Sequence, residues 1–239
     1  MKPDLFLSVI IPVYNEETRL FHLDEVINFF NQFSFKWELV VVNDGSTDLT
    51  FETLQKWREK HDFKIISYSK NRGKGYAIKQ GMIEAKGQYR LFMDIDLSTP
   101  LEEFYKFFPW LEKYDILIGT RKNQVGEIIQ PQPKLREMLG KGFTWLSQLL
   151  LNVRVSDFTC GFKIFSARAA DEIFPRLKIE RWGFDSEILF LAKKYGFSLK
   201  EIGVRWRNDP QTKVNLKKDV WRSLVDLIKI RLNNWRRLY

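Results

Sequence analysis

The residues with the clearest chemical meaning are two aspartates two positions apart, Asp94 and Asp96, which follow the apolar run at 91–93. Residues i and i+2 of a strand project from the same face, so the two carboxylates are expected to lie side by side. Like charges repel, and the arrangement therefore predicts a cation between them. Mg²⁺ and Mn²⁺ favour oxygen ligands and commonly bridge a carboxylate to substrate phosphates. The alternative is a pair of turn aspartates, one of which caps a helix, because short acidic motifs often match by chance.

The composition of the chain narrows the class of protein. With 239 residues, of which 44% are hydrophobic, the chain is long enough to bury a core in one or two domains. The single cysteine, Cys160, excludes an internal disulfide and a cysteine-based zinc site, and it fits a reducing compartment. No apolar run approaches the ~20 residues of a membrane span, and the first residues lack the pattern of a signal peptide. We therefore expect a cytoplasmic protein that is soluble or peripheral on the inner face of the membrane.

The alternation of apolar runs and helical periods indicates the fold. Strands are predicted at 7–13, 37–42, 64–68 and 89–93, and helices at 18–32, 48–60, 73–85 and 100–112. Thr99, Pro100 and Glu102 have the pattern of a capping box at the start of the fourth helix. Four such repeats are typical of an α/β fold with a doubly wound, mostly parallel sheet flanked by helices.

Polar residues follow three of these predicted strands. Asn15 and Glu16 come after the first strand, Asp44 after the second, and the acidic pair after the fourth. Ligands of doubly wound sheets bind at the carboxyl ends of the strands. We therefore expect these side chains to converge on one cleft.

The second half of the chain is less regular. It is predicted to contain strands at 115–119, 161–165 and 198–206, helices at 134–152 and 185–195, and a loop at 124–133.

The last stretch, residues 216–239, has apolar residues at helical spacing, with seven basic residues against two acidic ones. The resulting charge of +5 is more than half of the net +9 of the whole chain. With Trp221 and Trp235, this basic amphipathic C-terminal helix is typical of a segment that lies on an anionic membrane. The alternative is a helix that packs on the sheet and leaves its basic face in water.

These motifs resemble those of the family 2 glycosyltransferases, which have the GT-A fold. The resemblance rests on LSVIIPVYNE at 7–16, VVNDGS at 41–46, NRGKG at 71–75 and DID at 94–96. The second half is similar to the dolichyl- and polyprenyl-phosphate glucosyltransferases of that family, through DFTCGFK at 157–163, RWGFDSE at 181–187, VRW at 204–206, and Thr212-Lys213. The resemblance covers the whole chain. It implies a GT-A domain over 1–215, with a nucleotide-binding half at 1–114 and an acceptor half at 115–215, followed by the C-terminal helix.

On the donor side, the resemblance implies a metal-dependent, inverting transfer of a hexose. The expected donor is UDP-glucose, with GDP-mannose as the alternative. The residues implied in holding the nucleotide-sugar are Pro12, Tyr14, Glu16, Asp44, Arg72, Lys74 and Asp94. Asp94 and Asp96 would hold Mg²⁺ or Mn²⁺ on the diphosphate, with Asp96 as the more direct ligand. Alternatively, Asp44 forms an Asx turn with Gly45, and the 72–75 loop is an ordinary turn.

On the acceptor side, the resemblance implies a polyprenyl or dolichyl phosphate. Arg121 and Arg136 match positions near the acceptor phosphate, which suits the bidentate geometry of arginine. Arg205 and Lys213 match the region where relatives hold a mobile basic group over the diphosphate. Each of these cations could instead be a solvated surface residue.

A phosphomonoester acceptor is already largely ionised at neutral pH, because its second pKa is ~6. No strong base is then required, and Asp157, Asp185 and Glu187 are expected to orient the sugar or an arginine, or to be structural.

Two other functions fit parts of the sequence. One is a family 2 transferase with a soluble or polysaccharide acceptor, and the other is a non-catalytic basic module that binds lipid or nucleic acid. An acidic pair at the ligand cleft would repel a phosphate backbone, so nucleic acid is not an expected partner. The expected partners are a nucleotide-sugar, a polyprenyl phosphate and an anionic membrane surface.

Overall fold

The computed structural model describes residues 5–122, 127–130, 134–209 and 216–239, with the backbone alone at 134–136 and 216–219. The strands are β1 (Leu7–Val13), β2 (Trp37–Asp44), β3 (Lys64–Tyr68), β4 (Tyr89–Met93), β5 (Ile116–Thr120), β6 (Glu127–Gln130), β7 (Phe162–Ser166), β8 (Leu199–Gly203) and β9 (Arg205–Arg207). The α-helices are α1 (His22–Phe30), α2 (Thr50–Arg58), α3 (Lys74–Glu84), α4 (Phe104–Phe107), α5 (Lys134–Leu151), α6 (Ala167–Ile173), α7 (Phe184–Lys194) and α8 (Leu216–Trp235).

The main sheet has seven strands in the order β3-β2-β1-β4-β7-β5-β8. All of its pairings are parallel except those of β7, which runs antiparallel between β4 and β5. The predicted doubly wound, mostly parallel sheet flanked by helices is thus confirmed. The strand order reverses between β1 and β4, and a crevice for ligands is expected outside the carboxyl ends at such a point. Strand β7 comes from the predicted acceptor half, so one sheet runs through both halves.

The sheet separates two apolar layers, and successive residues of its central strands point to opposite layers. Ile10 and Phe92 contribute to the layer that includes α3, α6 and α7. Val9 and Leu91 contribute to the opposite layer, which includes α1 and α4. Burial on both faces explains why these strands read as continuous apolar runs in the sequence.

The predicted helix at 100–112 is broken into three short pieces. The 3₁₀ turns Leu101–Glu103 and Phe108–Trp110 flank the single helical turn of α4. Pro109 has no backbone N–H, so it cannot continue an α-helical hydrogen-bond series. The predicted capping box is also wrong, because the residue before the first turn is Pro100 and no side chain caps it.

The predicted loop at 124–133 contains strand β6, which pairs with β9 in a separate two-stranded parallel sheet. The predicted strand at 198–206 is accordingly two strands. At Val204 the chain changes sheets: the Val204 N–H donates to Thr120 in the main sheet, and its carbonyl accepts from Glu127 of β6. The four residues of β6 are all exposed, so no burial pattern marks this strand in the sequence.

Candidate active site

The acidic pair lies at the carboxyl end of β4, next to the reversal of strand order. Strand β4 ends at Met93, so the two aspartates stand in the turn that follows and not on the strand itself. Asp96 accepts a hydrogen bond from the Ser98 N–H at 2.9 Å. Leu97 has a φ of 49°, a conformation that strains a residue with a branched side chain. Burial, and then the negative charge of Asp94, raise the pKa of Asp96.

The backbone of Gly161 lies directly against the carboxylate of Asp94. A Cβ built on Gly161 would overlap Asp94 Oδ2 and would lie 2.8 Å from its Cγ. Gly161 immediately precedes β7, which pairs with β4. The antiparallel pairing therefore fixes the side chain of Asp94 from one side, and only glycine leaves room for it.

Lys74 approaches Asp94 from another side. Its ammonium forms an ion pair with Asp94 Oδ1, and 21% of its side chain is exposed. Burial alone would lower the pKa of Lys74, but the charges of Asp94, Asp185 and Asp96 outweigh burial and raise it. Lys74 is the first residue of α3, so the positive end of the helix dipole adds to the cationic character of this position.

The start of α3 is wedged against the segment at 179–184. Gly73 has a φ of 114°, and a Cβ on it would lie 2.6 Å from the carbonyl oxygen of Glu180. A Cβ on Gly75 would lie 2.6 Å from Cβ of Phe184. The two glycines of the 71–75 motif therefore permit a close backbone approach that places Lys74 beside Asp94.

Asp44 holds the loop that leads to Lys74. Its two carboxylate oxygens accept hydrogen bonds of 2.8 Å each, from the Tyr68 hydroxyl, the Asn71 amide, and the backbone N–H groups of Arg72 and Gly73. Asp44 is buried, and these four bonds match the acceptor capacity of a carboxylate. The structure thus gives Asp44 an organising role in this loop, whereas its part in holding the nucleotide-sugar stays a prediction.

The loops after β1 and β2 are joined by hydrogen bonds. Asn15 has a φ of 52°; its N–H donates to Ser46 Oγ at 2.9 Å, and its side chain accepts from the Thr47 N–H at 2.8 Å. Arg19 forms 3.0 Å ion pairs with Glu16 and with Asp209, which lies beyond β9. These contacts connect the segments that follow β1, β2 and β9.

The other predicted donor residues lie around this edge. Pro12 is partly buried within β1, and Tyr14 is partly buried just beyond it. Arg72 is exposed, and its guanidinium pairs with Glu180 and lies 3.6 Å from the centre of the Tyr76 ring. The structure brings the donor residues to one edge, and their roles in binding stay predictions.

On the acceptor side, Arg121 follows β5 and forms a bidentate ion pair with the buried carboxylate of Asp157. The Nε–Oδ2 and Nη2–Oδ1 distances are 2.7 and 2.8 Å, and Nη2 also donates to Thr159 at 2.8 Å. The ring of Trp206 covers the guanidinium at 5.1 Å. Burial of Asp157 alone would raise its pKa, but the charge and hydrogen bonds of Arg121 outweigh burial and hold the pKa of Asp157 well below its ordinary value. Asp157 thus orients an arginine, which is one of the three roles considered for it.

Asp185 pairs with a lysine that has no access to solvent. Lys163 on β7 is fully buried; its ammonium pairs with Asp185 and donates to the Cys160 carbonyl at 2.8 Å. Burial is the largest influence on Asp185 and raises its pKa, although Lys163 and Lys74 oppose it. Asp185 also contributes to the raised pKa of both Lys74 and Arg121. Its charge therefore acts on the donor side and the acceptor side together.

Three further predicted residues are placed less directly. Arg205 in β9 pairs with the buried Glu103 at 2.6 Å, so its guanidinium is directed to that carboxylate. The backbone of Arg136 belongs to α5, but its side chain lies outside the described atoms, and Lys213 lies outside the described residues. The proposed phosphate contacts of these cations stay predictions.

Several residues of the site carried no role in the sequence analysis: Arg19, Glu103, Gly161, Lys163 and Trp206. Lys163 and Trp206 stand within recognised motifs, yet no local signal identified their partners. An isolated lysine between apolar residues of a strand, as in Phe162-Lys163-Ile164, is the one pattern that predicts a buried charge in need of a partner.

Two carboxylates suit a divalent cation whose coordination is completed by oxygen atoms of the substrate. Mg²⁺ is usually held by one or two carboxylates plus phosphate oxygens and water, which the acidic turn can supply with a diphosphate. Within the described ranges, no group of three or more His, Cys, Asp and Glu side chains forms an all-protein metal site. The donor set therefore fits a substrate-bridging cation, with Asp94 and Asp96 as the residues that would hold it.

Comparison with known proteins identifies the family. Residues 8–174 match the model of the family described as glycosyl transferase family 2. The chain belongs to this family and is a glycosyltransferase.

Curated relatives and solved structures agree with this assignment. The chain is 35% identical to the dolichyl-phosphate beta-glucosyltransferase of Dictyostelium discoideum, over 95% of this chain and 74% of that protein. It is 34% identical to the protein of the same name from Saccharomyces cerevisiae, over 96% and 75%.

Among solved structures, mannosyl-3-phosphoglycerate synthase from Rubrobacter xylanophilus has a TM-score of 0.71 at 17% identity, over 98% of this chain and 75% of that one. Glucosyl-3-phosphoglycerate synthase from Mycobacterium tuberculosis, in complex with Mn²⁺, UDP and glucosyl-3-phosphoglycerate, has a TM-score of 0.68 at 15% identity, over 95% and 80%. These similarities confirm the GT-A fold.

Proposed function

We propose that this glycosyltransferase moves glucose from UDP-glucose to the phosphate of a dolichyl or other polyprenyl phosphate at a membrane surface. The names of the curated relatives support the acceptor and the sugar. The observation that carries the proposal is the contact of Gly161 with Asp94, which brings the segment that contains Asp157 and its partner Arg121 to the acidic turn, where Lys74 pairs with Asp94. Such a site can receive a donor diphosphate on one side and an acceptor phosphate on the other.

The donor diphosphate binds where Lys74 and the start of α3 supply positive charge. A divalent cation held by Asp94 and Asp96 would, when bound, neutralise charge that develops on the leaving diphosphate. Lys74 stabilises the same charge from the protein side. Gly161 and the tight turn at Leu97 keep the acidic side chains in place, so little reorganisation is needed during the reaction.

The acceptor phosphate binds at the outer edge of Arg121. Asp157 and Thr159 engage Nε and Nη2 of the guanidinium, and within the described residues Nη1 makes no hydrogen bond. A phosphate oxygen attacks C1 of the sugar as the bond from C1 to the UDP oxygen breaks, and the configuration at C1 inverts. The acceptor oxygen is already ionised, so no side chain has to remove a proton.

The membrane part of the proposal rests on the two faces of α8. Its buried side consists of Ser223, Asp226, Leu227 and Ile230. At 100° per residue, the exposed apolar residues lie on the opposite side: Trp221, Ile228, Leu232 and Trp235. The cations that flank this second stripe are Arg222, Lys229, Arg231 and Arg236. The helix therefore packs on the protein and also presents an apolar face bordered by positive charge, a combination suited to the interface of an anionic bilayer.

Helix α5 packs beside α8 and adds a similar stripe. Met138, Trp145 and Leu149 recur at helical spacing, and their exposed fractions are 63%, 64% and 64%. None of the helices in the described parts of the chain has the length and apolar run that a membrane span requires. We place the protein peripherally on the cytoplasmic face, where these two stripes bring the active site to the headgroup of a lipid acceptor.

Transfer of radioactive sugar into lipid tests the proposal. The full chain is incubated with labelled UDP-glucose, Mg²⁺ or Mn²⁺, and dolichyl phosphate, and the organic phase is counted. GDP-mannose in place of UDP-glucose tests the donor, and EDTA tests the need for a cation. Label that enters the organic phase only with lipid phosphate and UDP-glucose supports the proposal. Transfer that requires a soluble sugar acceptor contradicts it.

A further inference from the structure

The ammonium of Lys74 is placed where it neutralises the acidic turn. It pairs directly with Asp94 Oδ1, and Asp96 is close enough to contribute to its electrostatics. Without such a neighbour, two partly buried carboxylates two positions apart in the chain would repel each other in a medium of low dielectric constant. Lys74 thus serves the acidic pair as a cation supplied by the protein itself.

We propose that Lys74 is an exchangeable counter-ion: it neutralises Asp94 in the free enzyme, and it moves to the donor diphosphate when a divalent cation takes its place at the acidic turn. The inference rests on the proposed cation site, and it adds an order of events to it. A cation alone must compete with Lys74 for Asp94. A cation that arrives with a nucleoside diphosphate does not, because the diphosphate offers Lys74 a new partner.

Asp185 is the residue that keeps Lys74 in the site during this exchange. Its negative charge, together with that of Asp94, raises the pKa of Lys74, so Lys74 keeps an attractive neighbour when it leaves Asp94. The ion pair with the fully buried Lys163 fixes the position of Asp185, and Lys163 in turn donates to the Cys160 carbonyl. The segment at 179–184 packs against Gly73 and Gly75 and so keeps the backbone of Lys74 in place. Only the end of the Lys74 side chain then has to move.

The exchange makes binding of the cation and of the diphosphate cooperative. Each ligand weakens the Lys74–Asp94 pair for the other, and coupling between two ligands is reciprocal. Removal of the Lys74 charge should therefore strengthen binding of the cation alone and weaken the coupling. A lysine that only contacts phosphate would affect diphosphate binding and leave the affinity for the cation alone unchanged.

Mn²⁺ binding, followed by the electron paramagnetic resonance signal of free Mn²⁺, tests this without turnover. Wild type, Lys74→Gln and Lys74→Met are titrated with Mn²⁺ in the absence and presence of UDP. Removal of a cation beside Asp94 should tighten binding of Mn²⁺ alone by roughly tenfold. UDP should improve Mn²⁺ affinity strongly in the wild type and much less in either variant. Lys74→Arg keeps the charge and should resemble the wild type.

Lys70→Gln is the matched control, because Lys70 is an exposed lysine in the same loop region. It removes the same charge and should change the affinity for Mn²⁺ less than twofold. Unchanged Mn²⁺ affinity in both Lys74 variants, with weaker UDP binding, would overturn the exchange and leave the proposed function intact. Wild-type protein that binds no Mn²⁺ even with UDP would overturn both the exchange and the metal dependence.

Discussion

The hydroxyl of Tyr239 donates a hydrogen bond to the buried carboxylate of Glu187 near the start of α7. Glu187 also accepts from the backbone N–H groups of Lys178 and Ile179, at 3.0 and 2.9 Å. The segment that begins there continues to the residues packed on Gly75. One carboxylate therefore joins the segment after α8 to the backbone that positions Lys74.

Replacement of Tyr239 by Phe should destabilise the protein. A hydrogen bond to a charged, buried acceptor is worth about 1.5–3 kcal/mol, and its loss leaves Glu187 less well satisfied. The free energy of unfolding from a urea titration measures the effect. Tyr105→Phe is the control, because Tyr105 is 52% exposed, and it should stay within about 0.5 kcal/mol of the wild type. Equal stability of the two variants would contradict a stabilising role for the Tyr239–Glu187 bond.

Gly161→Ala should abolish most of the activity while the fold survives. The new Cβ would overlap the Asp94 carboxylate, which must then rotate away from the position that Lys74 and the cation share. We expect turnover to fall roughly 100-fold or more, since a misplacement of ~1 Å has that effect on a positioned group. Circular dichroism monitors the fold.

Gly140→Ala provides the matched control for this change. A Cβ on Gly140 meets nothing within 4 Å, and alanine is favoured over glycine inside a helix such as α5. Its turnover should equal that of the wild type. A Gly161→Ala enzyme with near-normal turnover would show that the orientation of Asp94 is not required.

The sequence could predict the donor half of the site because its signals are local. Strands buried on both faces give continuous apolar runs, and polar residues mark their ends: Asp44 is the last residue of β2, and Asp94 follows β4 directly. The contacts that complete the site are distant in sequence and carry no local pattern. Gly161 reaches Asp94 only through the antiparallel β4–β7 pairing, and Lys163 meets Asp185 from another element.

The acceptor half shows a second limit of prediction from sequence. Arg121 and Asp157 were each predicted to act at the site, but nothing in their spacing indicated that the two side chains form a bidentate ion pair. Strand β6 was missed for a related reason, because its partner β9 lies far along the chain and the strand buries no face. Pairing of charges and of short edge strands is decided by the tertiary fold.

The Asp157–Arg121 pair should make stability depend on pH in the acidic range. The pKa of Asp157 is lowered in the folded protein relative to its ordinary value of 3.8, so the folded state favours the ionised form. This stabilisation is fully present above the unfolded pKa, and it is lost as the pH falls below about 4 towards the folded pKa. Thermal unfolding between pH 7 and pH 3 should therefore show a smaller decrease for Asp157→Asn than for the wild type.

The Asp157→Asn variant should also be less stable at pH 7, because it leaves the partly buried guanidinium of Arg121 without its counter-charge. Asp62→Asn is a control for the general effect of acid, since Asp62 is exposed. Parallel decreases in all three proteins would show that other carboxylates dominate acid unfolding.

The exposed stripe on α8 should bind anionic membranes. Trp221 and Trp235 are 68% and 80% exposed, so their joint replacement by Gln should leave the thermal stability nearly unchanged. Burial of a large apolar side chain in the interface is worth ~1.5–3 kcal/mol at most, so each tryptophan should account for roughly tenfold in affinity for phosphatidylglycerol vesicles. Binding should also weaken as salt rises, because the attraction of the flanking cations is screened within about 8–10 Å at 0.1–0.15 M.

Phe21→Gln, at an exposed aromatic outside α8, is the control and should bind as the wild type does. Vesicle binding that resists both the tryptophan changes and salt would exclude this stripe as the contact surface, and a change from dimer to monomer in gel filtration would assign it instead to contact between two copies of the chain.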